Sequence, residues 1–191
     1  MTFAYCLARA AFGKQSIRVL DWGGATGHYY VLAKALFPDL DISYECVESP
    51  ATAAVGRELL PNIQFRLDGP LGERIYDLVM ASCSIHYFED WRDLLIRLSG
   101  ASKALLFLHQ LPIVHRARSF TVLQRPYSYS YETEYVGWAL NRADVLRALK
   151  ETHLGIVREF IHGFKPDVAG APEQPEYRSL LVSCLTDQGR V

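Results

Sequence analysis

The sequence predicts an α/β protein with a mostly parallel sheet, helices on both faces and an antiparallel pair of strands at the C-terminal end. Three observations carry this reading. Short apolar runs alternate with helix-patterned segments from residue 17 to residue 109, the rhythm of successive βαβ units. A glycine cluster, Gly23, Gly24 and Gly27, lies between the first apolar run and the helix after it. The last two apolar runs are joined by GFKPDVAGAPEQP, too rich in glycine and proline for a crossover helix, so they pair antiparallel.

The elements follow in order. An amphipathic helix is expected within MTFAYCLARAAFGK, and the first strand at Ile17–Leu20. Tyr29–Phe37 reads as a helix stopped by Pro38, and Ile42–Val47 as the second strand. A helix over Ala51–Leu60 sits between Pro50 and Pro61, and Asn62–Arg66 is a short third strand. Tyr76–Ala81 is the fourth strand. Trp91–Leu98 is a helix closed by Gly100, and Ala104–His109 is a buried fifth strand. Residues 111–138 then break the rhythm with Pro112, Pro126 and a tyrosine cluster. Asn141 is placed to cap a helix over Arg142–Thr152, and Ile156–Ile161 and Ser179–Leu185 close the chain.

With 191 residues, half of them apolar and 21% charged, the chain suits one domain over 1–191 with a core of ordinary size. Its net charge of −1 and the lack of a basic run argue against a nucleic-acid partner. No apolar run reaches the roughly 18–20 residues that cross a bilayer. The N-terminus lacks the pattern of a secretion signal, so a cytoplasmic protein with no membrane partner is expected. Cys6, Cys46, Cys83 and Cys184 form no CxxC pair, and neither disulfides nor a metal site are expected.

The glycine turn, in VLDWGGATGHYY, is the strongest functional signal. Glycines between a strand and a helix let backbone N–H groups approach a ligand, and the helix N-terminus adds positive potential. The dinucleotide pattern G-x-G-x-x-G is not matched. Asp21, at the strand end, would repel a pyrophosphate and suits a ligand with a cationic end. Glu48, in YECVESP, ends the second strand, where a carboxylate accepts from vicinal ribose hydroxyls. Asp68, in FRLDGP, follows the third strand. Glu48 also reads as a helix cap, and Asp68 as an ordinary turn residue.

The stretch Asp21-Trp22-Gly23-Gly24-Ala25-Thr26-Gly27 resembles the acid-x-Gly-x-Gly-x-Gly motif of the class I S-adenosylmethionine-dependent methyltransferases. Ala25 stands at the middle glycine, which fits if it takes an ordinary backbone conformation. YDLVMASCSIHYFEDW, residues 76–91, resembles that superfamily's fourth-strand region. Together with VESP, these stretches also resemble a small bacterial group of methyltransferase-like proteins with no assigned substrate. The resemblance implies a Rossmann-like sheet with S-adenosylmethionine as cofactor. It implies Asp21 at the ammonium, Gly23, Gly24 and Gly27 around the methionine moiety, Glu48 at the ribose, Asp68 at the adenine and Ser82 as a further cofactor contact. Gly23→Val is expected to abolish binding and leave the fold intact.

The chemistry so implied is in-line transfer of a methyl group to a small-molecule acceptor. Ser82, Cys83, Ser84, His86 and Tyr87 lie at the C-terminal end of the fourth strand, where ligands of open α/β sheets bind. His86 is the candidate base, read also as a partly exposed loop histidine, and His109 is a second candidate. Residues 111–138 read as an acceptor-side insertion, with Tyr127, Tyr129 and Tyr131 as substrate contacts. The alternating tyrosines fit an extended edge strand, and they read equally as a homodimer contact or local packing. Two rival functions remain: a non-catalytic protein of methyltransferase fold acting as a binding or scaffold subunit, and an NAD-dependent oxidoreductase.

Overall fold

The structure is a computed structural model that describes residues 2–73, 75–129 and 132–184 of the chain. The strands are β1 (Ser16–Trp22), β2 (Asp41–Val47), β3 (Gln64–Arg66), β4 (Tyr76–Ser82), β5 (Ser102–Val114), β6 (Phe120–Gln124), β7 (Tyr135–Asn141), β8 (Leu154–Ile161) and β9 (Glu176–Cys184). The helices are α1 (Thr2–Ala11), α2 (His28–Leu36), α3 (Pro50–Leu59), α4 (Trp91–Ala101) and α5 (Arg142–Glu151).

The first five strands are parallel in the order β3-β2-β1-β4-β5. β9 lies antiparallel on β5, and β8 antiparallel on β9, as expected from the intervening Gly/Pro loop. The strand order reverses between β1 and β4, which opens a crevice at their C-terminal ends.

Side-chain alternation divides the core between two faces. Val19, Leu78, Met80, Phe107 and Leu181 point to the face covered by α1, α2 and α3. Leu20, Val79, Ala81, Leu106, Leu108 and Val182 point to the face covered by α4 and α5. The first six residues of β4 are all buried, the mark of a central parallel strand. α1 turns Phe3, Cys6, Leu7 and Ala10 inward at helical spacing. Ser49 and Asn141 cap α3 and α5, accepting from backbone N–H groups of the first turn.

The structure departs from the sequence reading at three places. α4 runs through Gly100 to Ala101, so Gly100 does not close it. β5 continues well past His109: a register shift between Leu108 and Leu111 marks a bulge, and the strand then goes on to Val114. Pro112 is tolerated there because β4 ends opposite His109 and β7 joins only at Ile113, leaving β9 as its neighbour. Tyr127 and Tyr129 do not lie in an edge strand. β6 and β7 form a hairpin that joins β5 through β7, and Pro126–Tyr129 make a 3-10 turn in its connection.

Among the described residues no helix is long and apolar enough to cross a membrane.

Candidate functional site

The glycine turn leaves the end of β1 and enters α2 at the crevice. Gly23, Ala25 and Gly27 all take positive φ, at 69°, 52° and 84°. The middle position of the motif therefore keeps the left-handed backbone that favours glycine, although alanine occupies it. This corrects the expectation of an ordinary conformation at Ala25. Gly23 N–H donates to Val47 O at 2.8 Å, which ties the turn to the end of β2. A Cβ at Gly23 would lie 2.5 Å from Ser84 Cβ, so Gly23→Val strains the fold itself and does not isolate binding.

Asp21 does not face the crevice. It is fully buried, and Tyr44 Oη donates to its Oδ2 at 2.6 Å. A Cβ on Gly24 would collide with this carboxyl, so Asp21 packs directly beneath the turn. In this position Asp21 supports the turn from below. Asp21 Oδ1 is buried and has no hydrogen-bond partner among the described residues. Burial pushes the Asp21 carboxyl up to about 7; the Glu48 charge adds to the rise and the Tyr44 bond opposes it.

A carboxyl raised above its unfolded value of 3.8 stabilises the fold fully below that value, and loses the contribution as pH rises through about 7. Asp21→Asn should therefore remove a decline of about 2–3 kcal/mol between pH 5 and pH 8. Unfolding measured at both pH values in both proteins checks this. A wild-type decline that persists unchanged in the variant contradicts it.

Glu48 sits half-buried on the rim of the turn. Its Oε1 accepts from Ala25 N–H at 3.1 Å and its Oε2 from Ser49 N–H at 2.7 Å. It does not cap α3, whose cap is Ser49. Asp68 lies beyond β3 and forms a two-pronged pair with Arg97 of α4, Nη2 to Oδ1 at 2.5 Å and Nη1 to Oδ2 at 3.3 Å. Burial alone would raise the Asp68 carboxyl. Arg97 and the Gly69 N–H outweigh it and hold the group below the usual carboxylate range. Trp22 Nε1 approaches the same Oδ1 at 3.5 Å, so the carboxylate has three protein partners.

Ser82, at the end of β4, lies within hydrogen-bond distance of Tyr29 and His109. Burial and then His162 push the His109 ring down to about 4. His86 is not a partly exposed loop histidine. Only 2% of it is exposed, its buried Nδ1 has no partner among the described residues, and burial pushes it down to about 4. The expected near-neutral value is corrected by this desolvation.

The fourth-strand end and the hairpin do meet. Tyr87 packs edge-on against Tyr135 with ring centroids 5.3 Å apart, and its hydroxyl donates to Gln124 Oε1 at 3.0 Å. Tyr127 is exposed and donates to Glu134, which also pairs with Arg125 and closes the hairpin tip. Tyr131 lies outside the described residues, as does the side chain of Tyr129.

Tyr44 and Arg97 carry much of this geometry and were not singled out from sequence for these contacts. Tyr44 had one signal: it alternates with Cys46 and Glu48 along β2, which puts it beside β1 at the turn. Arg97 had none.

No protein-family model matches the sequence, and no curated protein matches it. Solved structures do share its architecture. An S-adenosylmethionine-dependent methyltransferase from Methanosarcina mazei superposes with a TM-score of 0.66 at 10% identity, over 90% of this chain and 94% of that one. One from Mesorhizobium loti gives 0.63 at 15% identity, over 95% and 97%. The cyclase SpnF gives 0.63 at 14% identity, over 96% and 80%. The fold is that of the class I S-adenosylmethionine-dependent methyltransferases. Because one of these proteins is named for a cyclisation, the fold alone leaves the reaction open.

Proposed function

We propose that this protein moves a methyl group from S-adenosylmethionine to a small-molecule acceptor. One observation carries the reading: a turn with positive φ at Gly23, Ala25 and Gly27, rimmed by the Glu48 carboxylate, at the point where the strand order reverses. Such a turn offers backbone N–H groups to a carboxylate, and an acid at the end of β2 accepts from ribose hydroxyls.

The residues present fit the donor. Glu48 would hold the ribose, trading its bonds to the Ala25 and Ser49 N–H groups for bonds to the hydroxyls. Gly23, Gly24 and Gly27 would line the methionine end, with Asp21 fixing the turn from beneath. Asp68 would meet the adenine amino group with lone pairs that Arg97 leaves free. Ser82 faces the same crevice from the end of β4. When bound, S-adenosylmethionine supplies an electrophilic methyl carried on a sulfonium. The protein then needs mainly to orient the acceptor and exclude water. The β6–β7 hairpin, with Tyr127, Tyr129 and Tyr131 in its connection, would cover the acceptor.

Transfer of label from methyl-labelled S-adenosylmethionine to a panel of phenols, amines and thiols tests the reaction. Labelled product with release of S-adenosylhomocysteine is the expected result. Tight binding with no transfer to any of them favours a binding or scaffold protein.

A further inference from the structure

At the crevice end of the sheet, three side chains from distant parts of the chain converge. Tyr29 Oη lies 3.2 Å from Ser82 Oγ and 3.1 Å from His109 Nδ1, and Ser82 Oγ lies 2.9 Å from the same Nδ1. They come from the first turn of α2, the last residue of β4 and the bulge of β5. The sequence reading kept His86 and His109 as separate candidates and linked neither to Tyr29.

Two backbone outliers frame this cluster. Cys83 and Gln110, neither of them glycine, take φ of 49° and 54°, and Cys83 Sγ meets Gln110 Oε1 at 2.8 Å. Such a residue persists only where its surroundings hold it. Here the strained pair directly follows Ser82 and His109. A bulge at this spot re-aims the His109 side chain.

The hydrogen-bond arithmetic leaves spare capacity. In the tautomer protonated at Nε2, a neutral imidazole accepts one hydrogen at Nδ1, while two hydroxyls supply two hydrogens and several lone pairs. Ser82 is half-buried at the open end of the crevice, so it is the member that a second molecule can reach. His86 offers nothing comparable, since it is sealed at 2% exposure.

We propose that Tyr29, Ser82 and His109, and not His86, form the acceptor-side pole of the methyl-transfer site. The inference rests on the function proposed above. An acceptor hydroxyl or amine donates its hydrogen to an oxygen of the pole, and a hydroxyl of the pole in turn donates to His109 Nδ1. Among the described residues, the titratable groups that face His109 and its partners are His28 on α2, Cys83 after β4, His162 after β8, and Asp21 beneath the turn. With the histidines neutral, the cluster itself carries no charge, so it responds to a charge on the ligand.

S-adenosylmethionine and S-adenosylhomocysteine differ by one methyl and one positive charge, and Ser82→Asp and Ser82→Asn differ by one negative charge at similar shape. Both ligands are titrated calorimetrically into both variants at about pH 8.5, where histidine is neutral. The preference for S-adenosylmethionine over S-adenosylhomocysteine should be about tenfold or more greater in the aspartate variant. Cys83→Asp and Cys83→Asn give an independent pair, at a left-handed position that both residues tolerate. Tyr87→Asp and Tyr87→Asn, beside His86, should change the preference by less than about threefold. An indifferent preference at both Ser82 and Cys83, or a larger shift at Tyr87, overturns the pole. Failure of the wild type to bind either ligand overturns the functional reading as well.

Discussion

Gly24→Ala is expected to cost the fold about 3 kcal/mol, the upper end for forcing a methyl into a packed core. The added Cβ would fall on the Asp21 carboxyl and lie 2.8 Å from Cys46 Sγ. Neither neighbour can retreat easily. Asp21 is held by Tyr44, and Cys46 is fully buried in the adjacent strand. The midpoint of thermal unfolding should drop by about 6–12 °C for a chain of this size. Affinity for S-adenosylhomocysteine should fall with it, because the turn must shift off the carboxyl that supports it. Calorimetric unfolding with and without ligand checks both parts. A variant of unchanged stability would mean that the turn is not seated on Asp21.

Glu48→Ala acts on binding and little on stability. The carboxylate is half-buried, and its two partners in the free protein are backbone N–H groups that water can serve instead. The ribose hydroxyls have no such substitute once the crevice is filled. Loss of hydrogen bonds to a charged group should weaken S-adenosylhomocysteine by about 1.5–3 kcal/mol, or roughly 10- to 150-fold. Glu48→Gln keeps one acceptor oxygen and should fall between the two. Titration of all three proteins measures the series. Equal affinities would place the ribose elsewhere.

What could be read from the sequence was local. The glycine turn was legible because positive φ and close packing constrain residue type within five positions. The alternation of strands and helices and the antiparallel ending were legible because hydrophobic period and loop composition are local signals too. The bulge in β5 was hidden, since Pro112 reads as a strand breaker until its unpaired side is known. The β6–β7 hairpin was hidden because Phe120–Gln124 pairs with residues that lie across a tyrosine-rich connection.

The site divided along the same line. Glu48 and the glycines lie near one another in sequence and stood out. The Tyr29–Ser82–His109 cluster joins residues up to 80 positions apart, and the Asp68–Arg97 pair joins residues 29 apart. No periodicity reports such pairs. The burial of Asp21 was hidden for a related reason. The acid at the end of β1 is plain in the sequence, but its burial is set by Tyr44 on the neighbouring strand.

Everything proposed for this protein depends on the crevice holding the donor. The most direct measurement is a calorimetric titration of the wild-type protein with S-adenosylhomocysteine, which needs no knowledge of the acceptor. One site per chain with micromolar affinity is expected, with a matching rise in the unfolding midpoint because the ligand binds only the folded state. No heat and no stabilisation at millimolar ligand would contradict it.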